Sequence, residues 1–157
     1  MKTKYRVKLH NDFAEPYWAS DNAESSPIVD HICIDEYVCY DYDVFKDILD
    51  GFLDAPKKKL NEKEIRQDFD EHREPKLSAE KVEAIKTYYN GRHDLKKKVY
   101  ADLAKVDVKK IKKDFPIVLK YGIPFKMNYF SCTDDDPCDS RTIQNDAFIE
   151  IEVSKVD

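Results

Sequence analysis

The hydrophobic period of this chain changes twice, and that change constrains its fold more than any other feature. Residues 3–10 alternate, with Tyr5, Val7 and Leu9 on one side and Lys4, Arg6, Lys8 and His10 on the other. Residues 28–40 keep the same period. Ile32, Ile34 and Val38 share a face with Glu36 and Tyr40, while His31, Cys33, Asp35, Tyr37 and Cys39 share the other. A period of two marks strands with one side buried. From residue 41 the period lengthens, and Phe45, Ile48, Leu49 and Phe52 recur at i, i+3, i+4 and i+7, as on an amphipathic helix. It returns to two near the end, where Ile149, Ile151 and Val153 alternate with Glu150 and Glu152. Strand-forming ends around a helical middle predict an α+β domain. Its antiparallel sheet comes from the N- and C-terminal strands, with a central helical insertion or layer. The expected order is β-β, four or five helices, then β-β, in a single domain over 1–157 with its helical segment at 41–115.

Punctuation residues divide the middle. Asp41 or Asp43 caps the first helix, Gly51 is a candidate early stop, and Pro56 closes the region. Asn61 with Glu64 resembles a capping box, Leu60 is placed to staple onto Ile65, and Pro75 follows as a stop. Ser78 caps a third helix lined by Val82, Ile85 and Tyr89, and Asn90-Gly91 reads as its end. A fourth carries Leu95, Val99, Leu103 and Val106. A short fifth runs from Asp107 to Pro116, with Val108, Ile111 and Phe115 inward. Residues 11–27 and 131–146 are rich in turn formers and read as long loops. Between them, strand alternation is expected at Ile123, Phe125, Met127 and Tyr129.

Composition excludes several classes. With 41% hydrophobic residues the chain is not a disordered one. Three glycines are too few for a phosphate-cradling loop. No apolar run approaches the ~20 residues that span a bilayer, so no membrane partner is expected. The basic start "MKTKYRVKLH" lacks the apolar stretch of an export signal, which predicts a cytoplasmic protein with reduced cysteines.

Local chemistry is sparse. Both cysteine pairs, Cys33/Cys39 and Cys132/Cys138, have five residues between them, wider than a usual zinc knuckle. On a straight strand Cys33 and Cys39 lie about 20 Å apart and cannot share an ion. A zinc site would need all four cysteines, with His10 or His31 as substitutes, and the simpler expectation is free thiols that pack and no cofactor. His93-Asp94, with His72 and Asp102, could suit a metal-dependent phosphohydrolase, yet Asp94 is equally explained as a first-turn helix acid. Glu74 and Lys76 match a nuclease pair but flank a proline. Asp134, Asp135 and Asp136 could attract Mg²⁺ or Ca²⁺, without the remainder of an EF-hand loop. No catalytic residue is assigned, and the chain is expected not to be an enzyme.

Charge gives the stronger signal. The net charge of −5 hides blocks of opposite sign. Residues 11–54 hold twelve acids and one lysine, a net of −11, whereas 92–113 hold nine Lys/Arg and three acids, a net of +6. On the first helix Asp43, Asp47 and Asp50 recur at i, i+4 and i+7, and like charges so spaced destabilise an isolated helix. With Asp35, Glu36 and Asp41 beside Tyr37 and Tyr40, they form a candidate surface for a basic partner protein, one that handles nucleic acid. Asp134, Asp135 and Asp136 add a second acidic block. The alternative reading uses Lys96, Lys97, Lys98, Lys105, Lys109, Lys110, Lys112 and Lys113 to neutralise nucleic-acid phosphates directly.

In size and charge layout the chain resembles the small acidic inhibitors encoded by phages, the DNA-mimic and anti-CRISPR proteins. The resemblance rests on Asp35, Glu36, Asp41, Asp43, Asp47 and Asp50, with Asp134–Asp136 and Asp139. It implies a non-catalytic inhibitor or adaptor acting on a nuclease effector in a bacterial cytoplasm.

Overall fold

The computed structural model describes residues 1–16, 28–124 and 143–157. In chain order these form β1 (Lys2–Pro16), β2 (Ile28–Cys39), α1 (Tyr42–Leu53), α2 (Glu62–Phe69), α3 (Ala79–Ala104), a single 3-10 turn (Val108–Lys110), β3 (Ile117–Gly122) and β4 (Ile143–Val156). The strands make one antiparallel sheet in the order β2-β1-β4-β3. The α+β class and the sheet built from both chain ends are as the sequence predicts. Three boundaries differ. β1 continues through residues 11–16, which read as loop, and β4 begins inside the polar stretch 131–146. The third difference is in the middle, which has three α-helices rather than four or five. Phe125, Met127 and Tyr129 lie outside the described residues.

The core lies on one side of the sheet. Tyr5 pairs with Val153 and Val7 with Ile151, and β3 extends the same rows, with Ile117 opposite Val153 and Leu119 opposite Ile151. Phe45, Leu49 and Leu53 of α1 cover these rows together with Val99 of α3. Phe45 stacks on Tyr5 at 4.7 Å between ring centroids. Asp41 caps α1 by accepting from the Val44 N–H at 3.1 Å. Gly51 does not end this helix, which closes at Asp54 in the left-handed conformation with φ 44°.

The opposite face of the sheet carries charge instead of helices. On it Arg6 and Lys8 of β1 lie opposite Glu152 and Glu150 of β4, and Lys8 is also opposite Glu36 of β2. Arg6 bridges Glu36 at 2.6 Å and Glu152 at 3.5 Å. Its hydrogen bond and charge hold the Glu36 carboxyl below its ordinary pKa. The basic N-terminus is thereby matched by cross-strand neighbours of opposite sign.

One helix, α3, replaces the two expected around Asn90-Gly91. Its N-terminal half buries Val82, Ile85 and Tyr88 against Ile65 of α2 and Leu77, a second small core. Its C-terminal half turns Val99 and Leu95 to the sheet. The apolar stripe shifts around the helix between the halves, so it reads as two helices. The residues at the junction have other work. Asn90 holds both polar groups of the Leu60 backbone, at 2.7 and 2.9 Å. Arg92 donates to the carbonyls of Phe52 and Leu53 at 3.0 and 2.9 Å, where the α1 dipole ends. Gly91 has no Cβ because Pro124 is there: a Cβ would meet Pro124 Cγ at 2.8 Å.

Two glycines on helices should therefore respond oppositely to alanine. Gly51 is exposed with nothing within 4 Å of a new Cβ, so Gly51→Ala should stabilise by about 0.5–1 kcal/mol. Gly91→Ala should destabilise by about 1–3 kcal/mol through overpacking. Urea denaturation of both variants measures the difference.

Asp70 offers a pH test. Burial alone would raise its carboxyl pKa, but the Leu77 N–H and the Arg66 guanidinium, each at 2.7 Å, outweigh burial and hold it below the ordinary value. A carboxyl depressed by folding stabilises the fold above about pH 4 and loses that contribution as pH falls through its folded value. Asp70→Asn should lower Tm at pH 7, and the gap to wild type should shrink at pH 3.

Candidate functional site: an acidic, aromatic sheet edge

The corner between β2 and α1 has a simple local cause. β2 ends at Cys39, Asp41 takes extended geometry as a cap, and α1 turns back over the sheet. Among the described residues β2 is the outermost strand and is flanked by β1 on one side only. Ile32 is 63% exposed and Ile34 51%. The face formed by Ile32, Ile34 and Val38, the most apolar of the strand, points away from the helices. The other face, with Tyr37 and Cys39, points toward them. Tyr37 meets Phe52 of α1 at 5.7 Å. Tyr42 packs edge-on against Tyr5 at 5.9 Å, and Lys2 sits 4.5 Å above the Tyr40 ring. The aromatics are thus held in place while half exposed, with Tyr40 at 53%.

The predicted carboxylates separate into free and committed groups. Asp35, Asp43 and Asp47 are exposed and make no ion pair among the described residues. Glu36 lies on the far face of the sheet with Arg6. Asp41 is engaged as the α1 cap. Asp50 faces α3, where the Tyr100 hydroxyl donates to it and Lys96 approaches to 3.7 Å. The i, i+4, i+7 row is therefore a free pair, Asp43 and Asp47, plus a structural third member. Asp134, Asp135, Asp136 and Asp139 lie outside the described residues.

The cysteine expectation is corrected in part. Cys39 packs partly against the core, where burial raises its thiol pKa. Cys33 is an exposed free thiol rather than a packing residue, because among the described residues β2 has no strand beyond it. β2 is unbroken from Cys33 to Cys39, so the two cannot meet on one ion; Cys132 and Cys138 lie outside the described residues. Among the described residues no group of three or more His, Cys, Asp or Glu is placed to hold a metal. The His93-Asp94 pair sits mid-helix in α3 rather than at a helix start. His93 Nδ1 contacts the Pro56 carbonyl at 3.0 Å, and Asp94 pairs with Lys59 at 3.1 Å.

The basic segment is also divided. Lys96 approaches Asp50, Lys98 lies 5.9 Å above the Tyr121 ring, Lys110 is 3.9 Å from Asp107, and Lys113 pairs with Asp157. Lys97, Lys105, Lys109 and Lys112 are exposed. Past the end of α3, Lys105, Lys110 and Lys112 rim an open groove of about 610 Å³ floored in part by Ile111. Phe115, expected to point inward, is 71% exposed at its edge. The chain reverses at a bridge between Lys112 and Phe115 instead of forming a helix there.

No known protein family, curated protein or solved structure matches this chain. Among the described residues no helix is long and apolar enough to cross a membrane. The sequence reading missed Val44 and the Ile32–Val38 face as surface. Alternation divided β2 into two faces without saying which is buried, and only the strand order reveals that β2 is an edge among the described residues.

Asp50 supplies a check on the division of carboxylates. Burial, and then the Asp50 carboxylate, raise the Tyr100 phenol well above its ordinary pKa. A group raised by folding contributes stability below its unfolded pKa, about 10, and loses it as pH rises further. Tyr100→Phe should cost about 1 kcal/mol at pH 7, and its stability deficit should shrink above pH ~10, read from denaturation midpoints.

Proposed function

We propose that this chain is a non-catalytic adaptor or inhibitor that binds a basic, nucleic-acid-handling protein through the β2–α1 corner. One observation carries the reading: Asp35, Asp43 and Asp47 stand exposed without ion pairs around preordered, half-exposed Tyr37, Tyr40 and Tyr42. On the same two elements Glu36 and Asp50 have cationic neighbours, as do Asp70 and Asp94 in the helical part. Tyrosines supply large contact area at low entropy cost, and free carboxylates steer a cationic partner to them. This is the arrangement that an inhibitor of a nuclease effector, of the anti-CRISPR kind, would present to a groove built for phosphates. Nothing in it requires a cofactor.

A second reading has its own observation. The groove rimmed by Lys105, Lys110 and Lys112 beside exposed Phe115 has the lysine and single aromatic of a weak single-strand site.

One experiment separates the two. The variant carrying Asp35→Lys, Asp43→Lys and Asp47→Lys should keep the wild-type circular dichroism, because none of the three makes an ion pair among the described residues. In capture from a bacterial lysate it should lose a basic partner that wild type retains at low salt and releases as salt rises. Retention of the same partner by the variant overturns the acidic-corner reading. Lysine-to-glutamate changes at 105, 110 and 112 that abolish oligonucleotide binding would favour the second.

A further inference from the structure

The two edges of the sheet are unlike. β3 is six residues long and carries Lys120 on its outward face. Short length and an edge lysine are ordinary protections against unwanted strand pairing. β2 is twelve residues long, with neither lysine nor proline, and among the described residues it pairs with β1 alone. Its outer row, Ile32, Ile34, Glu36 and Val38, is exposed, and it is apolar except at Glu36, which is paired with Arg6. Its inner row, Cys33, Asp35 and Tyr37, is exposed as well, with Tyr37 set against Phe52 of α1.

We propose that the free edge of β2 is a strand-addition site, and that its ligand is an extended segment in which lysine or arginine alternates with β-branched apolar residues. This rests on the acidic-corner reading and specifies how that corner takes its partner. An added strand would satisfy the unpaired backbone groups of β2, the recurring basis of peptide capture at sheet edges. Because side chains alternate, its residues on the outer face would meet Ile32, Ile34 and Val38. Those on the inner face would meet Asp35 and the Tyr37 ring, which favour cations. Asp43 and Asp47, free on α1, extend the negative field over the same corner. The closed flank of β2 is likewise filled by an alternating segment, with the faces reversed: β1 reads Lys4-Tyr5-Arg6-Val7-Lys8-Leu9, its cations lie on the outer face where Arg6 bonds Glu36, and its apolar residues lie inward. A second copy of the chain is the poorer occupant, since antiparallel β2–β2 pairing would crowd two sets of Asp35 and Glu36 onto neighbouring rows, where like charges repel.

The test uses the full chain and two peptides of equal composition, both acetylated and amidated. One alternates lysine and valine, KVKVKVKV; the other segregates them, KKKKVVVV. Strand addition predicts that the alternating peptide binds at least about tenfold more tightly. It also predicts that amide exchange, followed by NMR, slows at alternate residues between Ile32 and Val38. Binding without that protection overturns strand addition but leaves the acidic-corner reading intact, since Asp35→Lys would still weaken it. Equal affinity for the two peptides, or no binding by either, overturns the proposal. So does a free chain that already sediments as a dimer with those amides protected and becomes monomeric on Ile34→Lys, an outcome that assigns the edge to a second copy.

Discussion

The fold depends on a clamp in the middle of α3. Three polar side chains on a single turn there hold a connection that has little hydrophobic anchorage of its own. Asn90 binds Leu60, Arg92 binds the last carbonyls of α1, and His93 meets Pro56. Backbone groups at a helix end and in a turn must find partners or water, and here one helix supplies them over residues 52–60. The clamp fixes where α1 ends, and therefore how Phe45, Leu49 and Leu53 sit on the sheet. It also joins the sheet core to the α2–α3 core. Gly91 completes it by letting Pro124 approach the helix.

Helices on one side only leave the sheet with a second face to manage. The chain manages most of it with charge, placing Arg6 between Glu36 and Glu152 and Lys120 over the Phe148 ring at 3.8 Å. Exposed pairs of this kind add little stability. Their use is to keep a wide sheet face wet and to oppose slippage of β1 against its neighbours, because a one-residue shift would turn Arg6 into the core and Val7 out. The ladder stops short at β2, where Ile32, Ile34 and Val38 are left bare. Val118 of β3 is likewise exposed on this face, but as a single residue; the β2 row holds three and adjoins the free carboxylates.

The strands, the caps and the class of fold were legible because each is a local property. Tyr5, Val7 and Leu9 alternate whatever surrounds them, and Asp41, Asn61 and Ser78 cap helices as their side-chain chemistry predicts. What was illegible depends on neighbours distant in sequence. Asn90-Gly91 is a stop signal in isolation, and only the presence of Leu60 and Pro124 makes it a junction within one helix. Ile32 and Ile34 have the composition of a buried strand, and only the tertiary fold, with the helices on the other face of the sheet and β2 at its edge among the described residues, puts them outside. The candidate site was half legible for the same reason. Spacing grouped Asp43, Asp47 and Asp50 correctly on one helix, but could not foresee that Tyr100, fifty residues away, would take the third.

That withdrawal of Asp50 sharpens the electrostatics. Of the acids between residues 35 and 50, Glu36, Asp41 and Asp50 hold parts of the molecule together, and their charge is largely spent internally. Asp35, Asp43 and Asp47 do no such work, although two of them repel each other across one helical turn. A folding requirement explains the first group but not the second, since a chain selected for stability alone would place a lysine at either position of the pair. Those uncompensated carboxylates stand beside half-exposed tyrosines and, among the described residues, an open strand edge, and the proposed docking of a cationic partner rests on that juxtaposition.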